Sequence, residues 1–402
     1  MRTILLLTAI IFTSLELTIS QEPTKWRGPE ANGIFPAKEE IKDWTAQGPI
    51  VLWSYDELGK GYSSPAIANG NIYLTGMEEK TGFIYVLSID GKFQYKFAYG
   101  NEFDESYPGS RSTPTIVGNL AYILSGYGIL ACFDLETQKM KWMKKLLSDF
   151  DGENIRWGVT ETIVVDGDKL YCTPGGKNNN VLALNRLSGE LIWSCAGKSE
   201  LSAYCTPLMI DLPSRKLLVT HTGSHILGID RQNGQLLWSH EQPNQWSVHA
   251  NTPVYSNGSL YYISGYGRGS GRLDISEDGS KVTPVWFNQQ HDNRMGGAVV
   301  IDNYVYASGD KYRKLFCLDF KTGKEMWNSG ETGIGVTIAS NGMLICYSDK
   351  GELSLVKASP DSFQIKGKTK VTLGSEQHWS HPVIYEGILY LRHGKSLIAY
   401  KL

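Results

Sequence analysis

One phrase recurs down this chain: an apolar strand, an Asp or Asn, a turn, and a Trp eight residues after the acid. It reads LACFDLETQKMKW at 130–142, VLALNRLSGELIW at 181–193, ILGIDRQNGQLLW at 226–238 and LFCLDFKTGKEMW at 315–327. The pairs Asp134/Trp142, Asn185/Trp193, Asp230/Trp238 and Asp319/Trp327 share one spacing. A period of about 40–50 residues built only of strands points to a ring of small sheets.

A second phrase precedes each of these: a small residue and Pro, an apolar pair, a tight turn, then a Tyr-rich strand. Clear copies start at Ser63, Ser112 and Asn251, and looser ones at Thr160, Gly296, Gly335 and Ser380. A further copy at Cys205 carries an insertion in its turn, which makes eight. The turns Asn69-Gly70, Asp166-Gly167, Asn257-Gly258 and Asn341-Gly342 supply the positive φ of a tight hairpin. Each unit reads as strand A, hairpin, strand B, hairpin, strand C, the acid-bearing turn and strand D. The predicted fold is all-β, an eight-bladed β-propeller of four-stranded antiparallel blades, with seven blades as the alternative.

The eighth copy stops at strand C, at Leu402. Its missing strand is expected in IVLWSYDEL at 50–58, so that Trp53's strand closes the ring and removes the free sheet edge. The Trp residues are expected to be anchors between blades. Blade 1 has Tyr95 at that place, and blade 7 has no Trp. Deletion of 50–58 should open the ring, whereas loss of 21–40 should be better tolerated.

Residues 50–402 then form one domain, after an extension at 21–49. Residues 1–20 have a positive start at Arg2 and an apolar run at 4–12, the pattern of a cleaved secretory signal. No Cys lies near the expected cleavage point, so a bacterial lipid anchor is not expected, and the mature chain is expected in the periplasm or outside the cell. The net charge of −2 gives no reason to expect nucleic acid, and no membrane span is expected. A monomer is expected. The six cysteines form no CxxC pair and read as small core residues. Cys195 and Cys205, at the junction of two blades, are read as thiols rather than a disulfide.

The acid–turn–Gly–Trp phrase resembles the repeat of pyrroloquinoline quinone (PQQ)-like, quinoprotein-type propellers, over nearly all of the mature chain. KWRGPEANGIFP at 25–36, with DWTAQGPIVLWSYDELGKGYSSPAI at 43–67, is similar to a secreted bacterial branch of that family. Two roles follow from the resemblance. Quinoprotein dehydrogenases hold PQQ and calcium in the central funnel with a vicinal cysteine pair, which this chain lacks. Scaffolds of the BamB type have eight blades and no cofactor.

In a propeller the start of each strand A lines the axial channel. That register nominates Tyr62, Arg111, Trp157, Glu161, Tyr204, Trp246, His249, Asn251, Arg294, His378, Trp379 and His381 as a binding funnel. Arg111 and Arg294 are expected to grip a carboxylate or phosphate. Trp157, Trp246 and Trp379 are expected to stack on a sugar ring or flat cofactor. Glu161 with a histidine is the candidate acid–base pair. The bland alternative is a channel plugged by residues that pair with one another. GYGRGSG at 265–271 has the spacing of a nucleotide loop but sits in a strand–strand hairpin, so it reads as a turn.

The reading that results is a non-catalytic binding or scaffolding module, with an unidentified small-molecule or sugar-like ligand in the funnel or a protein partner at the rim. No cofactor is expected, with PQQ and calcium as the outside case. The alternative is an enzyme of the same fold, a PQQ-dependent oxidoreductase or a carbohydrate-active enzyme.

Overall fold

The computed structural model describes residues 22–45 and 47–402, and the secretory signal expected at 1–20 lies outside the described residues. Eight four-stranded antiparallel sheets follow one another around a central axis. Blades 1 to 7 occupy 66–101, 115–145, 164–195, 208–241, 254–288, 299–329 and 335–370. Strands Val383–Tyr385, Ile388–His393 and Ser396–Lys401 make the inner three of blade 8. The outer one is Ile50–Tyr55, antiparallel to Ser396–Lys401 with Ile50 opposite Lys401. The N-terminal strand therefore closes the ring.

The repeated phrase has a direct physical cause. The acid caps its own turn: Asp134 Oδ1 accepts the Thr137 N–H at 2.8 Å, and Asp319 Oδ1 the Thr322 N–H at 2.7 Å. The carbonyl just after the acid then turns toward the preceding blade. There it accepts an indole N–H: Trp142 to Arg186 O at 2.9 Å, Trp193 to Arg231 O at 3.2 Å and Trp286 to Phe320 O at 3.0 Å. Acid and Trp are thus mated across blades rather than within one. In blade 1 the Tyr95 hydroxyl replaces the indole and donates to Leu135 O at 3.2 Å. The turn glycines leave room for the rings. A Cβ on Gly189 would lie 2.8 Å from the Trp142 ring, and both Gly189 and Gly234 have φ above +70°.

Trp286 is a fifth anchor that the phrase search did not find. Its turn is longer, so Trp286 falls twelve residues after Asp274 instead of eight. Trp193 and Trp238 are buried, while Trp142, Trp286 and Trp327 are partly so. The core lies between blades. Leu217 and Trp238 of blade 4, for example, pack with Leu260, Tyr262 and Leu273 of blade 5. All six cysteines are buried free thiols.

Residues 22–45 form a strap across one end of the channel. Thr24 bonds Ile116 of blade 2 through both its N–H and its Oγ1. The buried Arg27 guanidinium then donates to Ala298 O of blade 6 and faces His381 Nδ1 of blade 8 at 3.5 Å. Phe35 and Gly33 pair with Ala339 of blade 7, and the Trp44 N–H donates to Lys366 O of the same blade. Because the strap joins blades 2, 6, 7 and 8, loss of 21–40 would remove a cross-brace. Among the described residues no helix is long and apolar enough to cross a membrane.

Candidate binding site in the axial channel

Each strand A is short and enters the channel from an irregular segment. Alternation along it decides which side chains face the axis. Tyr62, Arg111, Tyr204 and Trp379 hold one phase, and two residues on, Ser64, Thr113, Thr206 and His381 hold it again. Together with loop residues they enclose a cavity of about 400 Å³. Trp157 and Arg294 also line it, and Glu161 borders it. Trp26 of the strap lies on the cavity too, its ring 4.6 Å from that of His381. The strap thus forms the cavity floor.

Of the residues between the two phases, Ser112 and Glu161 still border the cavity, while His249 and Asn251 turn away from it. Glu161 is 3% exposed; its Oε1 accepts the Thr173 N–H at 2.7 Å, and its Oε2 is sealed from solvent without a partner. Its neighbours there are the thiols of Cys172 and Cys205. Burial pushes its carboxyl up to about 8, so the acid is neutral at pH 7. Asn251 is buried and donates to Asn293 O at 2.6 Å. His249 lies behind the wall, stacked 4.7 Å from His221. Its Nε2–H donates to Gly223 O at 3.2 Å, and its Nδ1 accepts from Ser264 Oγ at 3.1 Å. Burial lowers it to about 4.

His378 sits in blade 8 against Tyr347 Oη and the His393 ring, the latter at 3.8 Å. Asn251, His249 and His378 are therefore corrected as funnel residues, whereas Glu161 borders the cavity with its carboxyl turned back into the seam. The acid–base pairing read from the sequence is not assembled. His381 does face the cavity, but Met295 O and the Arg27 guanidinium occupy its two nitrogens, and burial lowers it to about 3.

The two arginines differ. Arg111 donates to Gly109 O at 2.9 Å, Tyr107 O at 2.8 Å and Ser106 O at 3.2 Å, with its guanidinium 5.0 Å from the Phe103 ring. It holds a turn rather than offering an anion grip. Arg294 is 41% exposed, and its one ionic contact is Nε to Asp310 at 3.5 Å. Its fork remains open to a ligand.

The sequence reading missed Trp26, Tyr107 and Tyr266. Tyr266 comes from the Gly-rich hairpin read as a plain turn. Its N–H donates to Asp310 at 3.2 Å, and Gly267 N–H to the buried Asp292 at 2.7 Å. Tyr107, Tyr204 and Tyr266 all line the cavity, and all three have left-handed backbones, with φ of 52°, 67° and 61°. A bulky residue there costs about 1 kcal/mol or more, which the surrounding bonds must offset. Trp379 packs between Tyr62 and Tyr107, each at 5.0 Å. Trp157 lies 6.3 Å from both Tyr204 and Trp246. Trp246 itself stands outside the cavity and is 40% exposed.

PQQ with calcium can be tested against these residues. Calcium takes about six to eight oxygen ligands, mostly from carboxylates. The one carboxyl bordering the cavity is the inward-turned, neutral Glu161. Among the described residues no three His, Cys, Asp or Glu side chains group as metal ligands. The donor set does not fit the pair.

The ring of eight blades, the indole-to-carbonyl seams and the strapped channel define a PQQ-like β-propeller. The chain belongs to the family described as outer membrane protein assembly factor BamB, which residues 102–329, more than half of it, match. No curated protein matches it in sequence. Among solved structures it is similar to BamB from Moraxella catarrhalis, with a TM-score of 0.63 and 12% identity over 88% of this chain and 100% of that one. It is also similar to a europium-containing methanol dehydrogenase, at 0.62 and 11% over 86% and 85%. The quinohemoprotein alcohol dehydrogenase ADHIIG from Pseudomonas putida HK5 gives 0.59 and 12% over 89% and 78%. At these identities the likeness is one of fold.

Proposed function

We propose that this chain is a secreted or periplasmic, non-catalytic binding module whose axial cavity takes a small sugar-like ligand. The observation that carries the reading is the group of three left-handed tyrosines, Tyr107, Tyr204 and Tyr266, on one cavity. Strain concentrated in cavity-lining aromatics, each backed by hydrogen bonds, is the mark of a pre-organised site rather than of a structural plug. Aromatic faces with hydroxyls between them suit a pyranose, which offers an apolar C–H face and a polar edge. The partly free Arg294 suits an acidic substituent on it.

The test is thermal shift and calorimetry on the mature protein with glucose, galactose, glucuronic acid and N-acetylglucosamine, and with PQQ plus Ca²⁺ as a separate arm. A saturable ligand at a hundredfold excess over its Kd adds about 2.7 kcal/mol of stability. Binding of at least one sugar, lost in Trp379→Ala, is the expected result. Binding of PQQ alone would replace this reading with the quinoprotein one, and binding of none of these would overturn it.

A further inference from the structure

Trp246 is a large apolar side chain left 40% exposed, on a segment that is otherwise tightly held. The buried Asn244 accepts the Trp246 N–H at 2.9 Å and the Val248 N–H at 3.2 Å through Oδ1, and its Nδ2 donates to Val248 O and to Ser264 Oγ. Ser247, between them, has φ of 53°. The Arg156 guanidinium lies 5.2 Å from the Trp157 ring and 4.8 Å from the Trp246 ring, bracing one indole against the other. The loop thus carries local strain and a buried polar brace, and the one aromatic ring it presents to solvent is the Trp246 indole.

The position of that indole matters. Trp157 lines the cavity, and Trp246 meets it edge-on at 6.3 Å. Tyr204, Trp157 and Trp246 therefore form a series of neighbouring rings, tilted 47° and 62° at its two steps, that leads from the cavity lining to an exposed indole outside it. Each ring-to-ring step is 6.3 Å. A ligand that fitted wholly inside the cavity would have no use for the outermost ring.

We propose that the site continues past the cavity as a second subsite on Trp246, and that the ligand is an oligosaccharide with its terminal unit in the cavity and the next units on this series of rings. The chain would be equatorially linked. Such a chain is a flat ribbon whose C–H faces can lie on successive aromatic rings, whereas an axial linkage turns the following unit away. The surroundings favour an uncharged or acidic chain over a cationic one, because Arg111, Arg156 and Arg294 stand around the mouth. This inference rests on the carbohydrate reading of the cavity.

The experiment is isothermal titration of the mature protein with glucose, cellobiose, cellotriose and cellotetraose, on wild type, Trp246→Ala and Trp246→Tyr. In wild type the Kd should fall about tenfold or more from glucose to cellotriose, the gain expected from one added aromatic stack. In Trp246→Ala that ratio should collapse to about twofold or less, with an unchanged circular dichroism spectrum, and Trp246→Tyr should restore part of it. Glucose binding with no dependence on length would overturn the second subsite while leaving the cavity reading intact. Length dependence that survives Trp246→Ala would overturn the role of Trp246. Absence of binding by every member of the series would overturn both.

Discussion

Trp44 stands against Gly367, where blade 7 lacks the indole of its neighbours. Gly367 pairs with Leu355 just after the strand-D bulge. Trp142, Trp193, Trp238 and Trp327 hold that same place opposite Cys132, Ala183, Gly228 and Cys317. A Cβ on Gly367 would come within 2.4 Å of Trp44 Cβ. Trp44 packs on the core shared by blades 7 and 8, with its indole N–H buried and unpartnered. The strap therefore supplies from outside the repeat the anchor that the repeat omits.

Trp44→Ala should destabilise the fold by about 2–4 kcal/mol, toward the lower end for a partly buried indole. Gly367→Trp alone should also destabilise, because two side chains then compete for one space. In combination, Gly367→Trp should recover part of the Trp44→Ala loss. A urea-denaturation double-mutant cycle reads this, and simple additivity would contradict it.

Tyr107→Gly should relieve a left-handed backbone at a 48% exposed position. We expect a gain in stability of about 0.5–1 kcal/mol together with weaker ligand binding. Thermal unfolding and the sugar titration measure the two effects. A loss of stability would mean that the turn carries no strain.

Glu161 should set an alkaline slope. Its folded value, about 8, lies above the 4.5 of an ordinary Glu, so the stability of the protonated form is complete below pH 4.5. It is lost as pH rises from 4.5 to 8, by an amount on the order of 3–5 kcal/mol. Glu161→Gln keeps an acceptor for the Thr173 N–H and cannot ionise. The variant should match wild type near pH 4.5 and exceed it at pH 8 in urea midpoint. Equal midpoints at pH 8 would contradict a neutral Glu161.

The buried histidines act in the opposite direction. His381, at about 3, and His249, at about 4, are both lowered from 6.5 by burial, and His221 shifts the same way. Their contribution is complete above pH 6.5 and is lost as pH falls through the folded values. Wild type should weaken steadily between pH 6.5 and 4, and His381→Phe should flatten that slope by about one proton. An unchanged slope would place a charged imidazole in the floor.

Much of the fold was legible because its cause is local. An acid must cap a turn, a glycine must clear a ring, and a Trp must reach the next blade, so the spacing survives as a pattern. Trp286 escaped because a longer turn stretched that spacing, and Trp44 because it lies outside the repeat altogether. The site was only partly legible. Strand A is as short as three residues, as in Ala66–Ala68, so no alternation was visible to set its phase, and Asn251 and His249 were assigned to the wrong side of the wall. Tyr266 was hidden in a hairpin whose glycines suggested mobility, although a buried Asp292 holds it.

The closure strand at 50–55 and Trp44 precede every one of blades 1 to 7 in the chain, yet their partners lie at 343–370 and 396–401. Blades 1 to 6 can assemble in order of synthesis, but Trp44 and the closure strand have no partner until the strands of blades 7 and 8 have been made. The ring can therefore be completed only after the strand at 396–401 has been made, as a late step of high contact order. The N-terminal strand thus acts as a latch whose closing requires that both ends of the ring are already folded.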